Sequence, residues 1–139
     1  MAKNVEFHGV YPPTITSFNA DGSFAPEKQR NAIRFLLENG VDGLWTLGSY
    51  GSFVLMPHDE RKKVTEFFID EVNGAVPIIA QVGCGSTQET VDLAKHAERA
   101  GADAVGCVVP YYFAAIAYRP DDIVKHFATI VDSVDVPVF

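Results

Sequence analysis

Cysteine, long hydrophobic runs and positive charge are all scarce in this sequence, and each shortage excludes a class of protein. Two cysteines, Cys84 and Cys107, stand outside any CxxC pair, which gives a disulfide framework or a zinc site little support and predicts reduced thiols. No apolar run approaches the roughly 18 residues that span a bilayer, and Met1–Glu6 lacks the apolar core of a secretion signal. A net charge of −7 with a pI near 4.9 argues against nucleic acid and anionic membranes as partners. We therefore expect a soluble cytoplasmic protein without nucleic-acid or membrane partners.

Metal and nucleotide signatures are also missing or incomplete. The chain has no GK[ST] phosphate loop. Gly83 and Gly85 resemble the start of a dinucleotide-binding fingerprint, but Gln88 occupies the position of its third glycine. We expect no metal site, because the four histidines show no ligand spacing: His8, His58, His96 and His126.

The sequence does contain short motifs that repeat at the points where amphipathic segments end and apolar runs begin. Asp42-Gly43-Leu44 returns as Asp103-Ala104-Val105, and Val76-Pro77-Ile78 returns as Val136-Pro137-Val138, each about 60 residues later. These junctions fall about 25 to 36 residues apart, which is the size of a βα unit. The period predicts a parallel sheet wrapped by helices.

The predicted strands are short apolar runs without alternation, as expected for strands covered on both faces. A fifth strand begins at Val136, and the four before it cover Gly9–Ser17, Leu44–Leu47, Pro77–Val82 and Ala104–Val109.

The predicted helices start at proline or serine. Pro26 and Pro57 suit the first helical position, and Ser86 with Glu89 matches a capping box. The charged run Asp59–Lys63 is predicted to be a solvated side of the second helix. The fourth helix carries one apolar stripe: Ile123, Phe127, Ile130, Val131 and Val134.

Counted this way, the chain holds four βα units and the start of a fifth strand. A (β/α)₈ TIM barrel needs eight units and about 250 residues. We therefore expect residues 1–139 to be the N-terminal portion of a single (β/α)₈ barrel domain. The alternative is a self-standing doubly wound, flavodoxin-like sheet.

Polar residues gather after the carboxyl ends of the predicted strands, where parallel α/β folds bind ligands. Gly48, Ser49, Tyr50 and Gly51 form a GxxG turn whose backbone N–H groups could cradle a carboxylate or phosphate, although many tight βα loops contain such a turn. The Tyr111-Tyr112 pair could supply a phenol for proton transfer, or simply pack at a surface or subunit contact.

Further short motifs follow one another along nearly the whole chain: Asp21-Gly22-Ser23, Glu60-Arg61, Val82-Gly83, Ser86-Thr87, Pro110-Tyr111-Tyr112 and His126-Phe127. Together with the repeated junctions and the GxxG turn, they resemble the dihydrodipicolinate synthase / N-acetylneuraminate lyase family. The resemblance implies a class I aldolase-type barrel, usually tetrameric, that forms a lysine Schiff base with pyruvate or a related 2-oxo acid and needs no other cofactor.

The resemblance also assigns roles to residues of this chain. It implies that Gly48, Ser49, Tyr50 and Gly51 bind the substrate carboxylate, with Ser49 and Tyr50 acting through their N–H groups. Tyr112 would enter a neighbouring subunit's site as a catalytic proton relay, and Tyr50 occupies the position of a threonine that joins the relay in the synthase.

Three departures from the family pattern affect these roles. Tyr50 and Ser52 replace a threonine and an acidic residue of the synthase, and Phe113–Arg119 lengthens the loop after Tyr112. The Schiff-base lysine and a second relay tyrosine are expected beyond Phe139. No lysine of this chain is predicted at a strand end: Lys3, Lys28, Lys62, Lys63, Lys95 and Lys125.

The sequence therefore predicts a full-length lyase or aldolase that acts on pyruvate or another 2-oxo acid. Tyr50 favours a sugar-acid-like or aromatic 2-oxo acid over the lysine-biosynthetic synthase, which is kept as an alternative. Two further hypotheses are a catalytically inactive fragment and a flavodoxin-like nucleotide-binding module that uses Gly83-Cys84-Gly85.

Overall fold

A computed structural model describes residues 5–112 and 118–139 as strands and helices that alternate along the chain. The helices are α1 (Pro26–Glu38), α2 (His58–Val72), α3 (Thr87–Ala100) and α4 (Pro120–Val131). The strands are β1 (Leu44–Thr46), β2 (Ile78–Gln81) and β3 (Ala104–Gly106), and a 3₁₀ turn covers Phe53–Leu55.

The three strands form one parallel sheet in the order β1-β2-β3, with Leu44 opposite Ile78 and Ile79 opposite Ala104. Single parallel bridges extend this sheet on both sides. Pro13 pairs with Trp45 beside β1, and Val138 pairs with Val105 beside β3.

Five chain segments therefore lie side by side in the order in which they occur in the sequence. A flavodoxin-like sheet would instead place its first strand between the second and the third. The observed order contradicts that alternative and is the order found in a (β/α)₈ barrel, of which these segments would form one side.

The first predicted strand, Gly9–Ser17, is much shorter in the structure than its apolar pattern indicated. Two backbone hydrogen bonds join it to β1: Thr14 N donates to Trp45 O at 2.9 Å, and Trp45 N donates to Pro12 O at 3.2 Å. Pro12 and Pro13 have no N–H group, so a longer ladder cannot form here.

The helix starts agree closely with the predicted ones because their causes are local. Pro26 opens α1, and Ser86 caps α3 by accepting from Glu89 N at 3.2 Å. Pro57 precedes α2 as its N-cap and is not its first helical residue, a difference of one position.

The helices cover one face of the sheet with two apolar clusters. The first lies between β1, β2, α1 and α2 and includes Leu44, Val64 and Phe68, which are all fully buried. The second lies between β2, β3, α3 and α4 and includes Ala80, Leu93, Ala94, Val105 and Ile130.

Two positions of the predicted stripe on α4 were wrong, because Val134 lies beyond the last residue of the helix and Val131 is exposed. Val131 is 53% exposed, whereas His126 is only 5% exposed. His126 and Ile130 are four residues apart and share a face, while Val131 is rotated by about 100° from Ile130. The packing face of α4 is therefore centred on His126 and Ile130.

Within the two described ranges, no helix combines the length and the apolar character that crossing a membrane requires.

Candidate functional site

The GxxG turn follows β1 and is held in a strained backbone conformation. Leu47 and Ser52, which flank the turn, both have left-handed backbones, with φ of 57° and 58°. Side chains rarely adopt this conformation, and such strain concentrates at binding and catalytic sites. A Cβ added at Gly51 would lie 2.8 Å from Leu47 Cα, so only glycine fits this position.

The turn leaves two adjacent backbone donors available. Ser52 N donates to Ser49 O at 3.1 Å and closes the turn. Among the described residues, no backbone carbonyl accepts a hydrogen bond from Ser49 N or Tyr50 N. Both residues are exposed while Gly48 and Gly51 are buried, so these N–H groups are suited to an anion that approaches from outside.

A cavity of about 370 Å³ opens beside this turn, on the face of the sheet opposite the helices. Its lining includes six residues that matter for the site: Tyr11, Trp45, Gly48, Ser49, Tyr50 and Gln81. A cavity with an apolar wall and a few polar donors is the usual form of a small-molecule site.

Loops after other strands meet the turn at the same rim. Thr16, from the loop after the Pro13 bridge, donates from Oγ1 to Gly51 O at 2.7 Å. Phe53, two residues after the turn, packs edge-on against Tyr111 from the loop after β3, with ring centroids 5.6 Å apart. The expected convergence of strand-end loops is therefore observed for these three.

The two tyrosines predicted to be catalytic lie at the surface. Tyr50 is 72% exposed and Tyr112 is 80% exposed. Tyr111 is more enclosed, and burial raises the pKa of its phenol. The catalytic roles of Tyr50 and Tyr112 stay predictions, and residues 113–117 of the long loop lie outside the described residues.

Arg61 was predicted to be solvated, and this was wrong. It is 3% exposed, and its guanidinium donates to Gln81 O at 3.0 Å, Gly83 O at 3.1 Å and Cys84 Sγ at 3.0 Å. It also lies over the ring of Phe53, 5.1 Å from the centroid. Arg61 thus fixes the backbone at the end of β2 and connects it to Phe53, two residues after the turn.

Three possible metal ligands come together near this point although their spacing gave no sign of it. One ligand atom from each of His58, Cys84 and Glu89 lies within 4.8 Å of the others. Arg61 Nη1 donates to the same Cys84 sulfur at 3.0 Å, and a cation at that distance opposes binding of a second one. The expectation of no metal stays a prediction.

The cysteines lie on neighbouring strand ends, and Cys84 is also in contact with the guanidinium of Arg61. Burial raises the pKa of the Cys84 thiol and raises that of Cys107 to about 11. Both thiols are therefore protonated near neutral pH and are poor nucleophiles.

The lysines of the described ranges all lie on helices, away from the cavity: Lys28 on α1, Lys62 and Lys63 on α2, Lys95 on α3 and Lys125 on α4. None of these amines projects from a strand end.

Known proteins match the chain over nearly all of its length. The model of the Dihydrodipicolinate synthetase family matches residues 6–139. The 4-hydroxy-tetrahydrodipicolinate synthase of Nitrobacter hamburgensis is 41% identical over 140 residues, covering 99% of this chain and 45% of that protein.

Solved structures of related proteins superpose closely on the described residues. The crystal structure of YagE, a prophage protein of the dihydrodipicolinic acid synthase family from E. coli K12 in complex with pyruvate, gives a TM-score of 0.91 at 36% identity and covers 96% of this chain and 44% of that one. N-acetylneuraminate lyase from Mycoplasma synoviae gives 0.87 at 30% identity, covering 94% and 45%. The chain spans less than half the length of each of these relatives.

Proposed function

The chain belongs to the dihydrodipicolinate synthetase family, and on that basis we propose that the full-length protein is a lyase or aldolase acting on pyruvate or another 2-oxo acid through a lysine Schiff base. The relatives include a synthase, a pyruvate-bound protein and an N-acetylneuraminate lyase, so family membership supports the reaction class more strongly than any one substrate.

The observation that carries the proposal is the pair of available N–H donors on Ser49 and Tyr50 at the mouth of the cavity. A carboxylate that accepts from both would be held with its 2-oxo carbon directed toward the cavity. Positioning by such preorganised donors removes much of the entropic cost of the reaction.

The amine would come from the part of the full-length protein that follows residue 139. The described lysines lie on the helix-covered side of the sheet, whereas the cavity lies on its other face. In the proposal, an amine attacks the 2-oxo carbon and water leaves, and the resulting iminium withdraws electrons from the adjacent carbon. The segments described here would form one side of the closed (β/α)₈ barrel.

Tyr112 is the proposed proton relay. Its exposed phenol is suited to reach the site of a neighbouring subunit in a homotetramer. We propose a cytoplasmic enzyme that uses no cofactor beyond the covalent Schiff base. Residues 1–139 alone would be inactive because they lack the amine.

Tyr50 helps to distinguish between the activities found in the family. It stands where the synthase has a threonine, and this bulkier residue is among those that line the cavity. This favours a lyase or aldolase for a sugar-acid-like or aromatic 2-oxo acid over the lysine-biosynthetic synthase.

Exchange of the pyruvate methyl protons tests the reaction class without knowledge of the second substrate. Full-length protein in D₂O should catalyse this exchange, followed by proton NMR, because iminium formation acidifies the methyl group. Gly51→Ala should reduce the rate strongly, since the added Cβ collides with Leu47 and opens the turn. Gly85→Ala is the matched control, because nothing lies within 4 Å of the added Cβ. Wild-type protein that catalyses no exchange would refute the proposal.

A further inference from the structure

Gln81, the last residue of β2, carries a buried amide nitrogen without a partner. The residue is 2% exposed, and Nε2 donates to no acceptor in the described part of the chain. Its Oε1 accepts from Gly83 N at 3.4 Å. This hydrogen bond assigns the oxygen and the nitrogen of the amide group. Two N–H donors are therefore left over inside the protein.

Such an arrangement is costly unless something else accepts these donors. A buried amide donor without an acceptor is destabilising, and native structures contain few of them.

The position of Gln81 indicates what the acceptor is. Trp45 is opposite Ile79 in the sheet, and Gln81 follows Ile79 by two residues, so all three share the face that carries the cavity. Gln81 lines this cavity together with Gly48, Ser49 and Tyr50. The leftover donors thus belong to the same cavity as the two available backbone N–H groups.

We propose that Gln81 is a substrate-binding residue that donates from Nε2 to the carboxylate of the bound 2-oxo acid. This inference rests on the proposed function and adds a side-chain donor to the backbone donors of Ser49 and Tyr50. Arg61 positions it, because the guanidinium donates to Gln81 O at 3.0 Å and thereby fixes the end of β2. The neutral amide can donate to a carboxylate, whereas a carboxylate side chain in its place would repel one.

Two substitutions in the full-length protein test the assignment. Gln81→Met keeps nearly the same volume and removes both donors, and Gln81→Glu introduces a like charge. Gln88→Met is the matched control, because Gln88 is exposed on α3. The readout is the pyruvate concentration that gives half-maximal methyl-proton exchange, measured together with the melting temperature.

Gln81→Met should raise the half-saturating pyruvate concentration about tenfold, the effect of losing one hydrogen bond, with little change in the maximal rate. Gln81→Glu should raise it further, and Gln88→Met should leave it unchanged. An unchanged half-saturating concentration in Gln81→Met, with or without a lower melting temperature, would overturn the assignment and make the amide a packing group. A half-saturating concentration can be compared only if the wild-type protein catalyses the exchange. If the proposed function is wrong, the wild-type protein itself catalyses no exchange, so the two failures are distinguishable.

Discussion

The indole of Trp45 crosses the middle strand and lies against Gly106 on β3. A Cβ added at Gly106 would come within 2.8 Å of Trp45 Cη2, so the absence of a side chain there makes room for the ring. Trp45 also lines the cavity beside the GxxG turn. One aromatic ring therefore packs on the sheet and forms a wall of the proposed site.

Gly106→Ala should destabilise the full-length protein by about 1–3 kcal/mol, because the added methyl overpacks a filled space. Urea unfolding measures this change. Gly85→Ala serves as the control, since an added Cβ there meets nothing within 4 Å, and it should be nearly neutral. Equal stabilities for the two variants would contradict the packing described for Trp45.

Arg61→Lys should cost about 2 kcal/mol, because one ammonium group cannot replace the three contacts of the guanidinium fork. It should also raise the half-saturating pyruvate concentration, since the end of β2 loses its support. Arg34→Lys on the exposed side of α1 should change stability by less than about 0.5 kcal/mol. An Arg61→Lys protein as stable as Arg34→Lys would show that these contacts contribute little.

His126 should make stability depend on pH. Its Nδ1 lies 2.8 Å from Thr87 Oγ1, and burial lowers its pKa below the usual 6.5. The neutral form is thus favoured in the folded state. The stability this provides is complete above the unfolded pKa and decreases as the pH falls below about 6.5, until the folded pKa is passed.

His126→Asn should flatten the decrease in melting temperature below about pH 6.5, because no imidazole remains to be protonated. His8→Asn, at an exposed position, should keep the wild-type decrease. If His126→Asn keeps the full decrease, other groups are responsible for it.

Tyr112→Phe should lower the maximal exchange rate by about a hundredfold or more, because it removes the proposed relay hydroxyl and leaves the ring. Tyr111→Phe retains the ring that packs on Phe53 and should stay close to wild type. The opposite pattern would transfer the relay role to Tyr111.

Much of the fold could be predicted because its signals are local. Pro26 and Ser86 mark helix starts by their own backbone and side-chain chemistry, and the structure confirms both starts within a residue. The extent of Gly9–Ser17 could not be predicted in this way. It depends on pairing with β1, where Pro12 and Pro13 lack donors.

The environment of Arg61 was misjudged although a signal was present. Arg61, Val64, Phe68 and Val72 recur at helical spacing and are all buried, so periodicity places the arginine on the inner face of α2. The charge of the neighbouring lysines suggested a solvated run and outweighed that spacing.

Some features of the site could not be predicted from the local sequence. Leucine and serine do not favour a left-handed backbone, so the strain at Leu47 and Ser52 comes from tertiary packing. The cluster of His58, Cys84 and Glu89 and the unpartnered amide of Gln81 likewise depend on how the strands and helices meet.

The most direct measurement is peptide mapping after borohydride reduction of the full-length protein with pyruvate. We expect one covalent adduct on a lysine outside residues 1–139, and none when pyruvate is omitted. No adduct at all, or an adduct on a helix lysine such as Lys62 or Lys95, would contradict this expectation.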